Sequence, residues 1–174
     1  MSGEVVILTG PPGAGKTTVA ALIASDASRP TVHLVTDEFY RAIRTGFVLP
    51  FLPEAQRQNE VVIDVIAGAV ATYARGGYDV MVDGIIGPWF LAPFRSLDVP
   101  VSYVVLRPSL ETTLARGMAR GAGELTDASA ITGMHEAFAD LGPLERHVLD
   151  SGSLSTAETA VAVRRAVSAG AHRL

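Results

Sequence analysis

Gly10-Pro11-Pro12-Gly13-Ala14-Gly15-Lys16-Thr17-Thr18 stands between the apolar run Val5-Val6-Ile7-Leu8 and the helix-prone stretch Val19 to Ala24. The spacing of Gly10, Gly15, Lys16 and Thr17 fits the Walker A pattern, and a strand leading in with a helix leading out is the context in which that pattern holds phosphate. Glycines 10, 13 and 15 let the backbone take a tight, partly left-handed path that turns successive N–H groups toward one anion. The helix N-terminus adds partial positive charge there. Pro11, Pro12 and Ala14 fill out the loop. Lys16 supplies a point charge for the β- and γ-phosphates, the Thr17 hydroxyl is placed to ligate Mg²⁺, and Thr18 can contact the α-phosphate. A glycine-rich turn without this role would not require Lys followed by Thr at the end of the spacing.

The rest of the chain suits a domain built around that loop. Its 174 residues fit one domain, 1–174, and 48% hydrophobic with 18% charged residues is a globular balance rather than a disordered one. A net charge of −4 gives no general attraction to phosphate backbones, so nucleic acid is an unlikely partner. The absence of cysteine excludes disulfides, thiolate metal sites and Cys nucleophiles. Met1-Ser2-Gly3-Glu4 lacks the basic start of a secretory signal, and Val61 to Ala71, the most apolar helix candidate, contains Asp64 and is too short to cross a bilayer. These features lead to the expectation of a cytoplasmic chain with no membrane partner.

Short β-branched runs alternate with longer Ala- and Leu-rich segments, the pattern of an α/β fold with a parallel sheet and helices on both faces. Strands are expected at Val5–Leu8, Val32–Val35, Val80–Val82, Tyr103–Leu106 and His147–Leu149. Helices are expected at about 16–27, 54–75, 109–121, 129–141 and 156–169. Ser109 can cap the third of these, Ser155-Thr156-Ala157-Glu158 has the capping-box form, and Gly76-Gly77 ends the long second helix. Met134, Phe138 and Leu141 recur on one helical face.

Phosphoryl chemistry needs more than the loop, and three features could supply it. Asp37, in Val35-Thr36-Asp37-Glu38, falls just beyond the second strand, on the edge where open α/β sheets bind ligands. There it can accept a proton from an attacking hydroxyl or hold Mg²⁺ through water; the position would also suit a helix N-cap. Val80-Met81-Val82-Asp83-Gly84 is an apolar strand ending in an acid, as a Walker B strand is, so Asp83 can support metal or substrate and Gly84 leaves room for a ligand. Arg116 and Arg120 are one turn apart on one face, with Leu110, Leu114 and Met118 on another, and Gly121-Ala122-Gly123 follows as the hinge of a closing lid. A solvated basic face is the simpler reading of the two arginines.

The stretches GPPGAGKTT at 10–18, TDEFYR at 36–41, VMVDG at 80–84, LRPSLETTLARGMARG at 106–121 and LDSGSLSTAET at 149–159 together resemble the small P-loop kinases of the shikimate, gluconate and chloramphenicol phosphotransferase-like type. The resemblance implies a P-loop NTPase three-layer sandwich whose five-stranded parallel sheet has the order 2-3-1-4-5, with a short lid after strand four. It further implies ATP and Mg²⁺ as cofactors, Asp37 as general base or metal partner, and Arg116 and Arg120 around the ATP phosphates. Ser151 to Ser155, with Ser151 and Gly152 foremost, would be the adenine loop. The lack of an inserted lid domain argues against a nucleoside-monophosphate kinase.

The acceptor side lies between the second and third strands. Residues 39–59 mix Arg41 and Arg44 with Phe47, Leu49, Phe51 and Leu52, an amphipathic wall, and Trp89, Phe90 and Phe94 follow Asp83 at the same edge. Packing of a short surface helix is the other use open to those three aromatics. Asn59 and Glu60 can face the cleft or simply start a helix, and His33, His135, His147 and His172 have no metal-binding spacing. The expected activity is transfer of the γ-phosphate of ATP to a hydroxyl of a small molecule, by a monomer or homodimer. A polynucleotide 5′-hydroxyl kinase and a non-catalytic nucleotide switch are the alternatives.

Overall fold

A computed structural model of the chain describes residues 2–119 and 126–174. The elements run β1 (Val5–Thr9), α1 (Lys16–Ser25), β2 (Thr31–Val35), α2 (Thr36–Arg41), α3 (Gln56–Arg75), β3 (Asp79–Asp83), α4 (Ala92–Arg95), β4 (Val101–Leu106), α5 (Leu110–Met118), α6 (Ala128–Ala137), β5 (Val148–Leu149) and α7 (Thr156–Ser168). The sheet order is β2-β3-β1-β4-β5, every neighbouring pair parallel, as expected.

Strand parity assigns each side chain to a layer, because successive residues point to opposite faces and register partners share one. Val5, Ile7, Val80, Val82, Tyr103 and Val105 face Val62, Ile66 and Val70 of α3 and Phe94 of α4. Leu8, Met81, Val104 and Leu106 face Val19 and Ile23 of α1 and Val163 of α7 on the other side. Each such Val, Leu or Ile, taken fully from water, contributes about 1.5–3 kcal/mol before the entropy of ordering is counted. The same parity sends Asp83 to the α1 face, since its register partners are Leu8 and, through β1, Val104.

Local chemistry explains the helix boundaries. The Ser109 hydroxyl accepts from Thr112 N–H at the start of α5, Asp127 caps α6, and Ser155 and Glu158 form the reciprocal capping box of α7. Gly77 at φ +90° ends α3 in the left-handed region. Two short helices, α2 and α4, were not among the expected elements. The buried face of α5 also differs from expectation: Thr113 and Gly117 are covered while Met118 is 57% exposed. This helix docks through small residues, because its backbone presses on the phosphate loop and its Gly117 on Ile131 of α6.

The free edge of β4 is covered in two pieces. β5 pairs only with Val105 and Leu106, and residues 172–174 run antiparallel beside the other end, with Tyr103 N–H donating to His172 O and Leu174 N–H to Val101 O. No helix among the described residues is long and apolar enough to cross a membrane.

Candidate active site

The loop between β1 and α1 has the shape its glycines permit. Gly10, Gly13 and Gly15 all have positive φ. Two of them are closed in by backbone: a Cβ at Gly10 would lie 2.1 Å from Leu106 O, and one at Gly13 would lie 2.5 Å from Thr113 O, so only glycine at 13 lets α5 close over the loop. The Lys16 ammonium is buried and donates to Pro11 O at 2.9 Å, and Ala14 N–H donates to the same carbonyl. No side chain caps α1, and a Cβ at Gly15 would meet nothing within 4 Å among the described residues. The first-turn N–H groups of α1 are therefore the donors that an anion in this open hollow would take.

Asp83 reaches this loop from β3. The residue is 1% exposed; Oδ1 accepts from the Thr17 hydroxyl at 2.9 Å and Oδ2 lies 2.7 Å from His33 Nε2. Since an ionised carboxylate only accepts, His33 Nε2 carries the proton in this contact. A hydroxyl and a carboxylate, both hard oxygen ligands, beside a phosphate cradle make a donor set that suits Mg²⁺, which completes its shell with water and substrate phosphate. Among the described residues there is no group of three or more His, Asp or Glu of the kind that holds a metal without such help.

Asp37 is exposed in the first turn of α2, two residues beyond Val35, the register partner of Asp83. The N-cap position belongs to Val35, so Asp37 does not serve as the cap. Burial of the Tyr40 ring, and after it the Asp37 charge, push the Tyr40 hydroxyl up to about 12, which keeps that phenol protonated beside the carboxylate. The space expected beside Gly84 is taken: a Cβ there would lie 1.9 Å from Thr36 Oγ1, so Gly84 allows α2 to begin tight against β3.

Arg41 pairs with Glu38 on α2, and Arg44 is exposed beyond its end. Phe47, Leu49, Phe51 and Leu52 remain exposed on a loop held to α3 by Gln58, whose amide pairs with both N–H and C=O of Val48, and by Asn59, which donates to Pro50 O. Asn59 thus lies buried under this loop instead of facing a cleft. Trp89 is 53% exposed and leans on Phe138 and Phe90, whereas Phe94 is fully buried in the α3-side core and lines no acceptor surface.

Arg116 is exposed on α5; Arg120 and Gly121–Gly123, the expected hinge, lie outside the described residues. Ser151 is buried with its hydroxyl unpartnered, and Gly152 N–H donates to Asp150 at 2.9 Å. Two contributors escaped the sequence reading, His33 and Tyr40. Tyr40 lies one helical turn from Asp37, a spacing that could have drawn attention to it. His33 carries no spacing signal, since its partner is fifty residues away.

A family model described as an AAA domain matches residues 5–141. This chain belongs to that family. Among solved structures, the AAA-domain chain superposes on the tunicamycin resistance protein of Deinococcus radiodurans with a TM-score of 0.72 at 18% identity, over 98% of each chain. A gluconokinase from Sinorhizobium meliloti 1021 matches with a TM-score of 0.72 at 18% identity, over 98% of this chain and 94% of that one. Shikimate kinase from Acinetobacter baumannii, in complex with shikimate, matches with a TM-score of 0.66 at 21% identity, over 97% and 94%. No curated protein matches the sequence. At these identities the AAA-domain chain shares the fold of the small P-loop kinases.

Proposed function

We propose that the protein is an ATP- and Mg²⁺-dependent kinase that phosphorylates a hydroxyl of a small molecule. The observation that carries this reading is the Thr17–Asp83 hydrogen bond at a glycine-turned loop, with Asp37 leaving the neighbouring strand at the same sheet edge. Gly10 to Thr18 would cradle the phosphates, with Lys16 and the α1 N-terminus meeting their charge. Thr17 and Asp83 are the groups assigned to Mg²⁺, which when bound draws charge off the phosphate oxygens; Asp37, whose other use is to hold the ion through water, is assigned to the acceptor. Ser151 and Gly152 would contact the base, and the orphaned Ser151 hydroxyl is a polar group suited to it.

On the acceptor side, Asp37 takes the proton of the hydroxyl whose oxygen forms the new P–O bond, while the β–γ bridge breaks and ADP leaves. Arg116 and Arg120 would compensate charge on the transferring group; Arg41, Arg44 and Trp89 would orient the acceptor. The kinases among the structural relatives support transfer over mere binding.

The test is γ-labelled ATP offered with a panel of hydroxylated metabolites and antibiotics, alongside a 5′-hydroxyl oligonucleotide. A labelled small molecule is expected. Label on the oligonucleotide alone would replace the acceptor assignment, and nucleotide binding with no transfer to any acceptor would favour a switch.

A further inference from the structure

Asp83 is held from two sides, and only one of them belongs to the phosphate loop. We propose that His33 is a positioning residue for the Mg²⁺–nucleotide site, fixing the Asp83 carboxylate from strand β2; this rests on the kinase reading only in requiring a nucleotide there. Rotation of a carboxylate about its last bond is broad and roughly two-fold, so one donor on one oxygen leaves its plane loosely set. Donors on both oxygens, Thr17 at 2.9 Å and His33 at 2.7 Å, fix that plane. The contact is short and charge-assisted, and at 1% exposure Asp83 has little water to replace a lost donor.

Sheet geometry makes the pairing possible. His33 is the register partner of Met81, so it shares a face with Asp83, one pleat further along β3. The strand that carries His33 also leads directly into Asp37. β2 therefore supports the donor-side carboxylate with one residue and delivers the acceptor-side carboxylate with another, and the His33–Asp83 bond ties the two halves of the site across β2 and β3.

Calorimetric titration of the purified chain with a non-hydrolysable ATP analogue, in EDTA and over a range of Mg²⁺ concentrations, reads this role without turnover. His33→Leu removes the donor, and His33→Gln keeps an N–H near the place of Nε2. In EDTA all three chains should bind the analogue alike. The Mg²⁺ concentration giving half of the Mg²⁺-dependent gain in affinity should rise about tenfold in His33→Leu, the size typical of lost outer-shell support, and return to within about twofold in His33→Gln. If His33→Leu does not fold, His33→Asn replaces it, since its shorter amide falls short of Asp83 and should show the same rise. Unchanged Mg²⁺ demand in the folded loss variant, or an equal rise in His33→Gln, would overturn the assignment. A wild-type chain that binds no nucleotide would overturn the kinase reading, and this assignment with it.

Discussion

At the scale of single residues, the donor side of the site is a set of short-range facts, and its predictions are sharp. Lys16→Ala should fold, because the ammonium belongs to the loop and its loss leaves both apolar cores intact, yet bind ATP at least about tenfold more weakly, as measured by calorimetry. Gly13→Ala should instead fail through stability. It places a Cβ 2.5 Å from Thr113 O at φ +83°, a strain of about 1–3 kcal/mol that a denaturant titration would register. For Asp37→Asn the expectation is intact nucleotide binding with transfer reduced about 10²–10⁴-fold, followed by rapid-quench assay once the acceptor is found. The turn of the loop, the place of Asp83 at the end of β3 and that of Asp37 just beyond β2 were legible because each is read from its own neighbours. His33 was not, since its meaning lies in a parallel register that no run of consecutive residues encodes.

Among elements, what the sequence revealed depended on whether the period of the pattern matched the partner surface. Strands with near-continuous apolar character were readable because both faces of the sheet are covered. The α5 pattern misled: Leu110, Leu114 and Met118 suggest a core stripe, yet α5 meets the phosphate loop at Gly13 and Ile131 of α6 through Thr113 and Gly117, an approach close enough that small residues fit and large ones do not. Phe94 shows the complementary limit, since an aromatic after a functional strand reads the same whether it lines a pocket or fills a core. Where a helix end is set by side chains, prediction is direct. Ser155→Ala removes the hydroxyl that accepts from Glu158 N–H and donates to the Glu158 carboxylate, leaves the main-chain half of the capping box in place, and should cost about 1 kcal/mol in a denaturant titration.

For the molecule as a whole, pH should act through a buried histidine pair remote from the phosphate loop. His147 donates from Nδ1 to Tyr103 O and accepts at Nε2 from Arg146, an arrangement that only the neutral ring can make, and its ring packs against His172. Burial holds both histidines below their ordinary value. Below about pH 6.5 the unfolded chain therefore binds more protons than the folded one, so the stability contribution is complete above that value and is lost as pH falls beneath it. Thermal midpoints should be level above about pH 7 and decline toward about pH 5, and His147→Leu should flatten the decline. The carboxylates of Glu145 and Glu158, held low by Arg107 and Ser155, act in a more acidic window and do not obscure the effect. His172 belongs to the antiparallel segment that covers the first half of β4. That cover is also a guard against self-association: a chain cut before residue 172 would bare main-chain donors and acceptors along a buried, strongly apolar strand. Such a truncation should pass from monodisperse particles to edge-paired aggregates in light scattering, however well its phosphate loop still holds nucleotide.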